Sequence, residues 1–162
     1  MRPATAATTL PGGPSRAGRL HAVNFTACLL LLVQYLLGMV ANLYVVLPER
    51  HPGAGARGYF TGAASGLAWV ITRGPAWAAA HAAFGLALVL AAFASIALTR
   101  RQGGRMAVVL SVLGALAILG AGFNGASFLN YGHDFSSMIM AGLWALALAC
   151  YVTSMFLAAR RQ

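Results

Sequence analysis

Lysine is absent from this chain and acid is nearly so: the 162 residues hold eleven basic side chains, all arginine, and two acids, Glu49 and Asp134. Charged residues make up 8%, against about 25% in an ordinary soluble domain, which excludes a soluble fold with a charged surface. Cysteine is equally scarce. Cys28 and Cys150 cannot build a disulfide framework of the secreted kind; both lie inside apolar runs, at matching distances from Arg19 and Arg160, and read as small apolar fillers at one depth. No Ser, His and Asp have the spacing of a nucleophile elbow, and the glycines at 120–125 lie within an apolar run, where they admit neighbouring helices and not a phosphate. Paired intramembrane acids and inverted repeats are missing too, which argues against a proton-relay transporter.

What remains is apolar. Hydrophobic residues are 60% of the chain and the mean hydropathy is +0.76, values that belong in a bilayer. A pI near 11.1 would ordinarily suggest nucleic acid. Here the arginines stand at the ends of apolar runs without interleaved aromatics, so they read as topology signals. Abundant Ala, Gly and Arg without Lys is the composition of a GC-rich bacterial genome.

Residues 1–19, rich in Pro, Gly, Ala and Thr, read as a disordered cytosolic arm, and residues 20–162 as one all-α, four-helix transmembrane domain. The spans are about 21–47, 75–99, 106–129 and 135–159. The first is too long for a signal peptide and has no small-x-small cleavage site after it, so it is expected to stay attached. Within the long connection 48–74, residues 59–71 suit a short helix lying in the headgroup region. Gly74 and Pro75 open the second span, and Asp134 is placed to cap the fourth. Eight arginines fall on the side of the two termini, while Arg50, Arg57, Arg73 and both acids fall on the other. The positive-inside rule then puts both termini in the cytosol of a bacterial plasma membrane.

Small and polar residues at helical intervals, mostly four apart, mark the expected helix seams: Gln34, Gly38 and Asn42; His81, Gly85, Ala92, Ser95 and Thr99; Ala117, Ala121 and Gly125 with Asn124 beside them; Ser137, Ala141, Ala145, Ala149 and Thr153. Counting from the cytosolic arginines at ~1.5 Å per residue, Asn42, His81, Asn124 and Ser137 form one polar layer roughly 28–35 Å away, near the outer face. Asn124 is expected to bond across helices. His81, as an ionisable residue within a span, is the first functional candidate. One reading has it hydrogen-bond Asn42 or Asn124, or reach interfacial water. The other makes it an axial ligand of a b-type haem, alone or with His133, the macrocycle lying between small residues such as Gly85, Ala121 and Gly125. His51, His81 and His133 with Glu49 and Asp134 could in principle hold copper or zinc, but the flexibility of the loops argues against it, and no metal site is expected.

A four-span bundle with a long first outer loop and histidines near the outer starts of its second and fourth helices resembles one half of haem A synthase, a likeness that carries over only His81 and His133. The family's acid shortly before the helical histidine is replaced by Ala78, and its loop cysteines are missing, so its oxidative chemistry is not implied. In texture, Gly122 to Asn130 and Asp134 to Met140 resemble a family of small actinobacterial four-span membrane proteins of uncharacterised activity, which implies a fold and a membrane location only. The expected function is a non-enzymatic accessory or partner-binding membrane component, with a membrane protein or a second copy of the chain as partner and no nucleic acid. The alternative is a haem redox protein built on His81.

Overall fold

In the computed structural model the described residues are 16–102, 104–132 and 135–160; His133 and Asp134 lie outside them. Five helices follow one another: α1 Arg16–Tyr44, α2 Tyr59–Arg73, α3 Ala76–Gln102, α4 Arg105–Tyr131 and α5 Phe135–Ala159. All but α2 are long and apolar enough to cross a membrane. Long unbroken runs of Leu, Ala and Val satisfy every backbone group inside the helix, which hydrocarbon requires. α1 already runs from Arg16, so residues 16–19 of the expected arm are helical, and it ends at Tyr44, ahead of Pro48. The α4 helix stops at Gly132, whose φ of 66° is left-handed and whose N–H is 2.8 Å from the Phe128 carbonyl. That conformation suits glycine because it has no Cβ.

The four long helices form a closed square in the order α1, α3, α4, α5, with no contact across either diagonal among the described residues. Neighbours are antiparallel, so the start of α1 and the end of α5 share one end of the bundle. The opposite end carries the 45–58 loop and α2, which packs on α3 and α4 only.

On α5 the buried face is Ser136, Ala147, Cys150, Tyr151, Ser154 and Ala158. The expected seam differs: Ala141, Ala145, Ala149 and Thr153 are exposed. The reason is complementarity of size. Tyr151 is buried, and a Cβ on Gly114 of α4 would come within 2.9 Å of its ring. A bulky ring needs a missing side chain opposite, and that pairing, not a row of alanines, decides which face of α5 turns inward.

The loop end is fastened by Asn130, at the last turn of α4 and 3% exposed. Its carbonyl accepts from Gly55 N–H at 2.8 Å. Of its two carboxamide orientations, one pairs both atoms: the nitrogen donates to the carbonyls of Gly62 at 3.1 Å and Gly53 at 3.2 Å, and the oxygen accepts from Ala63 N–H at 3.2 Å. This approach needs bare backbone. A Cβ on Gly62 would lie 2.8 Å from the end of the Asn130 carboxamide, and Gly53 has φ +97° with a Cβ position 2.8 Å from Gly66 N. The Tyr59 hydroxyl adds a bond to the Phe123 carbonyl, and His51 stacks on Trp69 with ring centroids 4.6 Å apart. Asn130→Ala removes the carboxamide from the fastening, a loss of roughly 1–3 kcal/mol. Tryptic cleavage at Arg50 and Arg57 in detergent solution should then accelerate about tenfold or more, since proteolysis follows the open population; an unchanged rate would mean that the loop is held by something else.

Candidate functional site

Two polar layers cross the bundle. The first, toward the loop end, lies between α1 and α3. Gln34 Nε2 donates to the His81 backbone carbonyl at 3.3 Å and stands 3.4 Å from His81 Nε2. The two helices exchange side chains for glycines: a Cβ on Gly38 would sit 2.9 Å from His81 Cε1, and one on Gly85 would sit 3.0 Å from Gln34 Nε2. Each glycine is thus the socket for the opposing polar side chain, one turn along. His81 Nδ1 and Gln34 Oε1 are buried without a hydrogen-bond partner. One level inward, Trp144 of α5 donates from Nε1 to the Leu31 carbonyl at 2.8 Å and stacks on Tyr35 at 4.6 Å.

The second layer lies at the termini end and draws on all four long helices. Asn24 Nδ2 of α1 donates to Ser154 Oγ of α5 at 3.0 Å, and Ser111 Oγ of α4 donates to Thr99 Oγ1 of α3 at 3.2 Å. All four side chains are buried. One turn further in, the Tyr151 and Ser95 hydroxyls are buried without a hydrogen-bond partner. Cys28 and Leu31 pack with Tyr151 in the same cluster, and Cys28 and Cys150 are free thiols.

No protein-family model, curated protein or solved structure matches this chain. Its function is therefore argued from this geometry.

The residues expected to form one outer layer have separate surroundings. Asn42 is exposed near the end of α1 and Ser137 is half-buried. Asn124 donates at 3.0 Å to the Gly120 carbonyl of its own helix. His81 pairs with Gln34, which the sequence places in the α1 seam, and not with Asn42 or Asn124. His133 falls outside the described residues. The termini-end layer went unread although its signal is present: Asn24, Thr99, Ser111 and Ser154 stand five, one, six and six residues from Arg19, Arg100, Arg105 and Arg160. Counting from the arginines, as for the expected outer layer, marks this one as well.

Haem does not fit the His81 arrangement. Axial ligation needs a ring nitrogen aimed into an open slot wide enough for a macrocycle. Here the ring edge fills the Gly38 socket so closely that a single methyl group would clash, and Nε2 faces the Gln34 amide. Among the described residues no three His, Cys, Asp or Glu side chains group as a metal site. The open cleft at the loop end, about 750 Å³, is lined by Val45, Glu49, His51, Phe128 and Tyr131 among others and does not reach His81.

Two predictions follow from these contacts. Gly38→Ala overpacks the α1–α3 interface and should lower stability in detergent by about 1–3 kcal/mol. In a His81→Ala background the same change should cost less than about 0.5 kcal/mol, because the clashing ring is gone; equal costs in the two backgrounds would place His81 elsewhere. Asn24→Leu breaks a bond between helices and should cost about 1 kcal/mol, whereas Asn124→Leu breaks only a bond within α4 and should cost distinctly less. A reversed order in chemical denaturation would contradict the assignment of the two asparagines.

Proposed function

We propose that this chain is a polytopic plasma-membrane protein with both termini in the cytosol, acting as a non-enzymatic accessory or partner-binding component. The membrane reading is supported by four apolar helices whose outward faces carry large hydrophobic side chains, among them Leu36, Leu90, Leu116 and Phe156. The orientation is supported by Arg19, Arg100, Arg101, Arg105 and Arg160, all exposed at the termini end, against Arg50, Arg57 and Arg73 with Glu49 at the other. Basic residues accumulate on the cytosolic side of membrane proteins.

The observation that carries the non-enzymatic reading is the use made of His81. An ionisable side chain in a span is expensive and commonly serves a reaction or a transport step. In this chain it is spent on holding α1 against α3, with its ring against Gly38 and its flank on Gln34. An accessory subunit needs this kind of internal glue and an outward face free for a neighbour.

The test is purification from native membranes in mild detergent, with polypeptide mass and absorption spectrum read on the same sample. The expected mass exceeds that of the 16.8 kDa protomer, through a second copy or a membrane partner, and the reduced-minus-oxidised spectrum is flat. A lone protomer would defeat the partner-binding reading. A Soret band that vanishes in His81→Ala would restore the haem alternative.

A further inference from the structure

We infer that the termini end of the bundle carries a headgroup site for anionic phospholipid, formed by arginines of α1, α3 and α4 and by Arg160 directly after α5. The inference rests on the membrane reading proposed above and adds the chemistry of the lipid.

The second polar layer serves as a ruler. The Asn24 to Ser154 and Thr99 to Ser111 bonds fix one level on each helix. Counted from it at 1.5 Å per residue, Arg100 and Arg101 stand about 1.5–3 Å beyond, Arg19 about 7.5 Å, and Arg105 and Arg160 about 9 Å. Five exposed guanidinium groups therefore share a slab roughly 10 Å deep, comparable to a headgroup region, which adds some 5 Å or more to each side of the hydrocarbon. The two acidic side chains, Glu49 and Asp134, belong by sequence to the connections at the other end.

Two further features select an amphiphile over a soluble anion. Large apolar side chains stand exposed at the level of the cations: Leu98 three residues before Arg101, Met106 one residue after Arg105, and Phe156 one turn before Arg160. The Arg160 guanidinium lies 4.4 Å over the Phe156 ring, so the charge is held against the lipid-facing surface and not projected away from it. A ligand meeting both surfaces has a phosphate head and acyl chains. With arginine as the sole basic residue, every cation can fork onto two phosphate oxygens, which an ammonium cannot do.

The experiment uses the full chain in nanodiscs of phosphatidylcholine alone and of phosphatidylcholine with phosphatidylglycerol. Each cation near an anionic surface contributes enough that phosphatidylglycerol should raise the melting temperature by about 5 °C or more. About 0.5 M salt should shrink that gain. Arg100→Gln with Arg101→Gln should remove most of it, Arg105→Gln alone should reduce it, and Arg57→Gln at the opposite end should leave it intact. Native mass spectrometry of the same samples should show retained phosphatidylglycerol, so a poorly folding double variant still leaves a readout in the parent chain. Equal melting in the two lipids overturns the inference. So does an equal gain from inorganic phosphate or a short RNA in phosphatidylcholine discs, which would mean a site for soluble anions. Release of the protein from native membranes by alkaline carbonate would instead sink the membrane reading itself, whereas retention without lipid preference sinks only the headgroup site.

Discussion

Helices surrounded by hydrocarbon have no hydrophobic reason to meet, because a lipid chain is as apolar as leucine. What holds them is whatever lipid cannot supply: a hydrogen bond or a fit between a bulky side chain and a missing one. In this bundle each side of the square has its own such device. Gln34 and His81 join α1 to α3, Thr99 and Ser111 join α3 to α4, and Asn24 with Ser154 joins α1 to α5. The α4–α5 side depends on size instead, with Tyr151 over Gly114, Leu143 over Gly120 and Met140 near Gly125. Those facing glycines let the α4 and α5 backbones come together, so dispersion there takes the place of a polar bond.

The loop end is built on a different principle. There α2 cannot span the bilayer and must be fixed by its backbone, so the chain spends a buried asparagine on it. Asn130 satisfies carbonyl and amide groups of the 53–63 segment that would otherwise face a poorly solvating region, and removing water makes such bonds stronger. Because α3 and α4 are the only helices that α2 packs on among the described residues, the loop ends of α1 and α5 are left without this cover. The molecule is thus asymmetric about its own axis, tightly capped on one half and open on the other, where Tyr44 and Val46 stand exposed.

The architecture was legible because it depends on run length and on where the arginines fall, properties that survive without knowing any contact. The seams were legible where a polar side chain and a glycine alternate on one helix, as with Gln34 and Gly38 or His81 and Gly85, since each pattern carries both a knob and its socket. On α5 the rule of small residues misled. Ala141, Ala145 and Ala149 satisfy the spacing but have nothing to receive, while Tyr151 is inward because Gly114 lies opposite, and that partnership links residues on two different helices. Asn124 misled for a related reason: an amide in a helix can bond the carbonyl four residues back, and sequence alone does not separate that choice from a bond to a neighbour. The fastening role of Asn130 is not legible in the sequence, because its partners lie about seventy positions earlier in the chain.

Leu and Ala-rich helices are poorly specified in height and rotation, since sliding one turn replaces one alkyl contact by another. Two polar layers remove that freedom. On α1, Asn24 faces α5 and Gln34 faces α3, ten residues apart. At about 100° per residue these directions differ by about 80°, close to the right angle between two adjacent neighbours in a square. One bond would fix the height of α1 and leave it free to turn; two bonds, about 15 Å apart and on different faces, fix both. Between them lies an apolar middle of Leu31, Leu88, Ala117, Ile118 and Ala147, which packs well in that register but cannot select it. Buried polar groups therefore act here as they do in the cores of coiled coils, setting register at some cost in stability. Among the described residues the buried side-chain atoms left unpaired are Asn24 Oδ1 in one layer, with Ser95 Oγ and Tyr151 OH one turn further in, and Gln34 Oε1 and His81 Nδ1 in the other; they lie at or beside those two levels, so the cost of specificity falls close to where the specificity is made.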